Sequence, residues 1–274
     1  MGRIARRTLF HLVLLTAAVG HSCEHSSYNV VTLSKTAYSL VHSTRILYPT
    51  NAGSYPVFTW LHGWQLEGAN YDEILCDAAK SNIVICMQMD RNFVGEQLDV
   101  DAKLLMPYLH DPRKGILPKI GSSAVLPGYR YTHIGLGGHS RGGGVIAYAY
   151  SHGILVDADF SAVVFVDAVT GQKSDVPNVV RLNQTTVRAM YFNDAHSSCV
   201  VNGWPQFGDK FDCKHINVID AGSAGCQHMD IVSGLASWLP VCHSNSSIKE
   251  MCKAKARQEI ASAGFGPAVP SVLI

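Results

Sequence analysis

Residues 132–150, which read THIGLGGHSRGGGVIAYAY, contain a serine in a setting suited to nucleophilic catalysis. An apolar run leads into Gly-His-Ser-Arg-Gly, and a segment rich in Ala, Val and Ile follows. A serine on a tight strand-to-helix turn has a strained backbone, so the positions two before and two after it must be almost free of side chain. Gly138 and Gly142 occupy those positions. The pattern predicts a nucleophile elbow that presents the Ser140 hydroxyl at a helix N-terminus.

A glycine-rich segment of this kind is also compatible with a purely structural loop or a phosphate cradle. No Lys-Ser or Lys-Thr pair follows the glycines, which argues against a P-loop. The strand-like run before the turn and the helix-like run after it favour the elbow.

An activated serine needs a base and an acid that orients the base, and in this arrangement they follow the serine in the order acid, then histidine. Asp167 ends the apolar run SAVVFVD. His228 follows the run HINVID, within Gly-Cys-Gln-His-Met-Asp. Asp194, which ends VRAMYFND, is a second candidate for the acid. The residues alone leave both acids open.

The stretch Leu-His-Gly-Trp at 61–64 ends another apolar run and is a candidate oxyanion loop. The backbone N–H groups of Trp64 and Arg141 would together hold a developing oxyanion. Because His62 precedes Ser140 and lies on the oxyanion side, we expect it to organise this loop rather than to act as the base.

Strand-like and helix-like runs alternate along the chain, and the strand-like runs are almost continuously apolar. This pattern predicts a mostly parallel sheet covered on both faces by helices. The stretch 112–128, rich in proline and glycine, is predicted to be irregular and to lie over the site. The predicted strands are 30–34, 44–48, 56–61, 83–89, 131–137, 161–166, 187–192 and 215–220, and the predicted helices are 70–80, 100–109, the elbow helix and 248–263.

The first 20 residues have the pattern of a secretory signal peptide, with Arg3, Arg6 and Arg7 before an apolar run at 9–19. We expect cleavage after Gly20, with an uncleaved anchor as the alternative, and a single domain over 21–274. No later run reaches the ~20 apolar residues that a membrane-spanning helix requires. The resulting expectation is a secreted or extracellular protein.

Eight cysteines remain after such a cleavage, an even number that allows four disulfides in an oxidising compartment. Local pairing of Cys199 with Cys213 and of Cys242 with Cys252 would close short loops. No C-x-x-C spacing indicates a zinc site. The sequons at Asn183 and Asn245 are glycan acceptors if they are exposed in that compartment.

Four motifs of the chain together resemble the chlorophyllases. They are Leu-His-Gly-Trp, Gly-His-Ser-Arg-Gly-Gly, Val-Asp-Ala-Val-Thr-Gly and Gly-Cys-Gln-His-Met-Asp, in the same order and at similar spacing from about 55 to 230. Ala168 and Gln227 depart from the family's proline and glycine. The resemblance implies an α/β-hydrolase fold, a triad of Ser140, Asp167 and His228, and hydrolysis of the phytyl ester of chlorophyll without a metal or an organic cofactor.

Composition narrows the possible partners. The formal net charge is +1, with 22 basic and 21 acidic residues, and the basic residues are scattered, so nucleic acid is not an expected partner. The expected partner is a small hydrophobic ester. The alternatives are a secreted carboxylesterase, lipase or polyester hydrolase, since Gly-His-Ser-Arg-Gly-Gly also occurs there, and a non-catalytic binder of the same fold. A chlorophyllase with a secretory signal would fit a plastid that is reached through the endoplasmic reticulum. No pattern indicates an oligomeric state.

Overall fold

A computed structural model describes most of the 274-residue chain. The described residues are 27–33, 41–64, 66–89, 98–169, 180–192, 211–213, 216–233 and 244–266. The predicted signal peptide at 1–20 and the candidate acid Asp194 lie outside them.

Ten strands and five α-helices make up the regular structure of the described residues. The strands are β1 (Tyr28–Leu33), β2 (Val41–Pro49), β3 (Ser54–Leu61), β4 (Ile83–Met89), β5 (Arg130–His139), β6 (Ala162–Val166), β7 (Val180–Leu182), β8 (Thr186–Tyr191), β9 (Phe211–Cys213) and β10 (Ile216–Asp220). The helices are α1 (Asp72–Ala79), α2 (Leu98–His110), α3 (Ile116–Gly121), α4 (Arg141–Ser151) and α5 (Ser246–Ile260).

Eight of these strands form one sheet in the order β1-β2-β4-β3-β5-β6-β8-β10. Within it only β2 runs against its neighbours, and the pairs from β4 to β10 are parallel. Strands β7 and β9 pair in parallel as a separate ribbon. An eight-stranded sheet in this order, with its second strand antiparallel and helices on both faces, is the arrangement of the α/β-hydrolase fold, and the predicted fold class is confirmed.

Side chains alternate between the two faces of the sheet, and both faces are buried. In β3, Val57 and Leu61 join the apolar cluster that contains α2, α3 and α4, whereas Phe58 and Trp60 join the cluster that contains α1 and α5. The same alternation occurs in β4, every residue of which is buried. Burial on both faces explains why the central strands read as continuous apolar runs.

A π-helical turn, Ala261–Phe265, follows α5 and completes the second apolar face. The Phe265 ring stacks on Phe58 with a centroid distance of 4.9 Å. A Cβ on Gly135 would lie 2.2 Å from the Phe265 ring, so only glycine at this position of β5 lets the ring approach the sheet.

The predicted strands in the sheet match the observed ones, with shifts of a few residues at their ends. The prediction of an irregular 112–128 was wrong, because this stretch contains α3, whose Pro118 lies in the first turn, where its missing N–H is not needed. The end of the stretch lies at the start of β5, opposite the carboxyl edge, since a Cβ on Gly128 would lie 3.1 Å from Ala52 Cβ, just before β3. Strands β7 and β9, of three residues each, were missed because no alternation can be read in so short a run.

Cysteine pairing differs from the predicted scheme. Cys226 and Cys252 form a disulfide, so the predicted pair of Cys242 with Cys252 is wrong. Cys76 is also disulfide-bonded. Cys86 is a free thiol buried in β4, so the eight cysteines cannot form four bridges. Its side chain packs in the core as a small apolar group. The predicted pair of Cys199 with Cys213 falls on side chains that the structure does not describe.

None of the helices described here has the length and apolar content needed to cross a bilayer.

Candidate active site

Ser140 lies at the tight turn between β5 and α4, where its backbone adopts φ 53° and ψ −125°. A Cβ on Gly138 would lie 2.6 Å from the backbone of Gly142, and a Cβ on Gly142 would lie 2.2 Å from Leu61 O. Both positions therefore exclude a side chain, as the elbow pattern predicts. A Cβ on Gly143 would meet the Ala168 methyl at 2.3 Å, so α4 packs directly on the chain after β6.

His228 lies next to Ser140, in a loop after β10, and both side chains are more than 90% buried. Ser140 Oγ is 2.9 Å from His228 Nε2, and His228 Nδ1 binds Asp167 Oδ2. Because a carboxylate only accepts hydrogen bonds, His228 carries its proton on Nδ1 and accepts the Ser140 hydroxyl at Nε2. The structure thus brings together three of the predicted site residues in the order acid, histidine, serine.

Asp167 directly follows β6 at the carboxyl edge of the sheet, with a positive φ of 41°. Its Oδ1 accepts the backbone N–H of Phe192 at 2.9 Å, and its own N–H donates to Met190 O at 2.6 Å. Both contacts come from β8 and the residue after it. The neighbouring strand therefore fixes the Asp167 carboxylate that contacts His228. Phe192, which makes one of these contacts, lies two residues before the alternative acid Asp194.

The Leu-His-Gly-Trp loop approaches Ser140 from the end of β3. A Cβ on Gly63 would lie 3.1 Å from Ser140 Cβ, which puts the loop backbone against the nucleophile. The N–H of Gly63 donates to Tyr71 Oη at 2.8 Å and is therefore occupied. The next amide along the loop is that of Trp64, the predicted oxyanion donor. Arg141 is the first residue of α4, where a backbone N–H has no partner within the helix.

His62 uses both ring nitrogens to hold this loop. Its Nδ1–H donates to Gly63 O at 2.6 Å, and its Nε2 accepts the backbone N–H of Met89 at 2.8 Å. The ring thereby joins the ends of β3 and β4. This is the organising part that the sequence predicts for His62.

The Arg141 side chain forms an ion pair with the buried carboxylate of Asp101 in α2. Burial raises the pKa of Asp101, and the neighbouring Arg141 guanidinium opposes that rise. The pair ties the first turn of α4, and with it the elbow, to α2.

Several residues that hold the site together were not predicted. Asp230 accepts the backbone N–H groups of Gln227 and Ser244, each at 2.8 Å, and so bends the loop around His228. Asn70 pairs with Ser233 through two hydrogen bonds of 2.8 and 2.9 Å. The contacts of Asp230 with Ser244 and of Asn70 with Ser233 join residues 14 and 163 apart in sequence, and no local pattern encodes them.

Comparison with known proteins places the chain in a family. The family model named Chlorophyllase matches residues 18–191, which is more than half of the chain. The chain belongs to the chlorophyllase family. The matched segment contains Ser140 and Asp167 and ends before His228.

A curated member of this family is similar to the chain over part of its length. Chlorophyllase-1 of Arabidopsis thaliana is 34% identical over 133 residues. That segment covers 46% of this chain and 39% of the relative, so the chain matches well under half of the relative's length.

Proposed function

We propose that the protein is a serine-dependent carboxylic ester hydrolase of the chlorophyllase type. The observation that carries this proposal is the continuous hydrogen-bonded series from Ser140 through His228 to Asp167, with Ser140 on a strained elbow. In this geometry His228 can take the proton of Ser140 without moving, because its Nε2 already accepts that hydroxyl.

The reaction has two steps, and each moves one proton through His228. Ser140 Oγ attacks the ester carbonyl while His228 Nε2 takes its proton, and the N–H groups of Trp64 and Arg141 stabilise the oxyanion. The Asp167 carboxylate stabilises the imidazolium. Collapse releases the alcohol, which receives the proton from His228. Water, deprotonated by His228, then hydrolyses the acyl-enzyme and returns Ser140 to its starting state.

The substrate we propose is the phytyl ester of chlorophyll, which the reaction would cleave to chlorophyllide and phytol. Family membership and the name of the Arabidopsis relative support this choice. Trp64, with 54% of its surface exposed beside the nucleophile, would give a large apolar ester a contact surface at the site.

The test is hydrolysis by purified Ser140→Ala. We expect turnover to fall by several orders of magnitude, on the order of the ~10⁶ found when a serine triad member is removed. Ser151→Ala is the matched control, since it removes a buried hydroxyl from the other end of α4. Full activity of a folded Ser140→Ala protein would refute the assignment.

The substrate is tested by comparing chlorophyll a, a short nitrophenyl ester and a long-chain triglyceride. The proposal predicts the highest kcat/KM for chlorophyll a. A preference for the nitrophenyl ester or the triglyceride would identify a general carboxylesterase or a lipase instead. Binding of these esters without turnover would identify a non-catalytic member of the fold.

A further inference from the structure

His139 is the completely buried residue between the two loops that serve Ser140. None of its surface is exposed. Its ring lies 4.6 Å from the ring of His228 and 5.7 Å from that of Tyr71, measured between centroids. Its position directly before Ser140 puts it at the end of β5, beneath the nucleophile.

Both nitrogens of the His139 ring are bound, and their partners fix one tautomer. Nε2 is 2.9 Å from the backbone oxygen of His228, which can only accept, so Nε2 carries the proton. Nδ1 is 2.9 Å from Tyr71 Oη and must then accept the phenolic proton. Tyr71 Oη in turn accepts the backbone N–H of Gly63 at 2.8 Å.

Every donor in this series points the same way. The hydrogen bonds run from the Gly63 amide through Tyr71 and His139 to the backbone oxygen of His228. Gly63 lies directly before the proposed oxyanion donor Trp64, and His228 is the proposed base. The series therefore joins the oxyanion loop to the base loop, and it passes behind Ser140 without touching the hydroxyl.

His139 itself cannot serve as a second base. Its Nε2 is committed to the His228 carbonyl and its Nδ1 to Tyr71. Burial, reinforced by the neighbouring His228, lowers the pKa of His139 well below its ordinary value, which favours the neutral ring. A neutral ring with one donor and one acceptor has the hydrogen-bonding pattern that this series requires.

We propose that Tyr71 and His139 are positioning residues that hold the oxyanion loop and the His228 loop in register with each other across Ser140. The proposal rests on the ester hydrolase function proposed above. Loss of either residue would let the Trp64 amide and the His228 ring shift relative to each other, and a misplacement of 1 Å at a reacting group can cost about 10²-fold in rate.

The test uses Tyr71→Phe and His139→Gln, with His139→Leu for comparison. Tyr71→Phe removes one oxygen and preserves the ring. His139→Gln retains a donor and an acceptor, whereas His139→Leu retains neither. We expect Tyr71→Phe and His139→Leu to lower kcat for a nitrophenyl ester by about 10²-fold at nearly unchanged KM, and His139→Gln to restore most of the loss.

A fluorophosphonate gives a second readout that does not depend on the natural ester. Ser140 Oγ forms a bond to phosphorus, fluoride leaves, and His228 takes the serine proton. Because this step uses the same base and oxyanion donors, its rate constant should fall in parallel with kcat. The Tyr71→Phe/His139→Leu double variant should be no slower than the slower single variant, since both act in one series.

Tyr108→Phe is the matched control. Tyr108 is a buried tyrosine of α2 whose hydroxyl binds Thr44 of β2, outside the series that passes through Tyr71 and His139. It should lose stability as Tyr71→Phe does and keep its kcat. An unchanged kcat and labelling rate in folded Tyr71→Phe would overturn the positioning role of the series, as would a change confined to KM.

Ser140→Ala, assayed in parallel, separates the two proposals. An active Ser140→Ala refutes the serine mechanism and, with it, the positioning role of Tyr71 and His139. An inactive Ser140→Ala together with a fully active Tyr71→Phe refutes the positioning role alone.

Discussion

The backbone of Ser140 is strained, and three hydrogen bonds hold it in place. A non-glycine residue in such a region of φ and ψ costs of order 1–3 kcal/mol. Its N–H donates to Val166 O at 3.1 Å, and its carbonyl accepts the N–H groups of Gly144 and Val169 at 3.1 and 3.0 Å. These bonds connect the turn to β6 and α4, so the surrounding elements fix the direction of the hydroxyl.

The two candidate acids can be separated by one isosteric change at each. Asp167→Asn should lower kcat by roughly 10⁴-fold, because the amide favours the wrong His228 tautomer while it preserves the geometry. Asp194→Asn should change kcat only slightly. Steady-state kinetics on both proteins decide the matter. The reverse order of severity would assign the acid to Asp194.

The burial of His139 should make the fold sensitive to acid. Since the pKa of folded His139 lies well below the ordinary value of 6.5, the unfolded chain takes up a proton below that pH and the folded chain does not. Stability is therefore lost as the pH falls below 6.5, and this one group contributes up to about 1.4 kcal/mol per pH unit. Urea unfolding between pH 7 and 5 should show a shallower decline for His139→Gln than for the unchanged protein. Equal slopes would contradict a neutral buried ring.

At the scale of elements, the ion pair between α2 and α4 should be costly to break from one side. Arg141→Met leaves the Asp101 carboxylate buried without a counter-charge, which typically costs about 3–5 kcal/mol. We expect a corresponding fall in the free energy of unfolding, measured in urea. Adding Asp101→Leu should recover most of it, because removing both charges leaves none buried. A single variant as stable as the parent would show that the pair does not tie the helices.

The disulfide between Cys226 and Cys252 anchors the His228 loop to α5. It closes a loop with a sequence separation of 26 residues, which in the chain-entropy model contributes about 3.5 kcal/mol. Replacing both cysteines by alanine should lower activity at temperatures where far-ultraviolet circular dichroism is unchanged, since the base loop loosens before the sheet unfolds. Cys86→Ala, at the free buried thiol, is the control that leaves the loop intact. Coincident loss of activity and secondary structure would contradict this order.

Elements whose character is set by local pattern could be predicted, and contacts between distant segments could not. The continuous apolar run predicts a strand over the whole of Ile83–Met89, because a strand buried on both faces is apolar at every position. Gly138 and Gly142 identified the elbow because the turn itself excludes a side chain there. In contrast, the bond between Tyr71 and His139 and the pairing of Cys226 with Cys252 depend on the folded arrangement of distant segments, which spacing in the sequence does not reveal.

For the whole molecule, we propose passage through the secretory pathway, with Asn183 and Asn245 as glycan acceptors. Both asparagines are exposed. Asn245 caps α5 by accepting the N–H of Ile248 at its side-chain oxygen at 3.0 Å, and a glycan bound to its nitrogen would leave that cap intact. The two roles are therefore compatible at one residue.

Protein secreted from eukaryotic cells should shift in electrophoretic mobility when it is treated with peptide N-glycosidase. Asn183→Gln should remove one step of the shift and Ser247→Ala the other. Ser247→Ala is preferred over a change at Asn245 because it destroys the sequon and keeps the cap, whose loss would cost about 1 kcal/mol. Retention of the protein inside the cell without any shift would contradict the secretory route.

The stacking of Phe265 on Phe58 can form only late in synthesis. The two rings are separated by about 200 residues of chain, which a ribosome adds in roughly 10 to 40 s. Until Phe265 is made, the apolar surface of β3, and of β5 once Arg130–His139 has been synthesised, has no cover from this ring. The nascent chain therefore exposes an apolar sheet surface during synthesis. A chaperone that binds this surface during translation would be displaced only when Phe265 has been made and packs there.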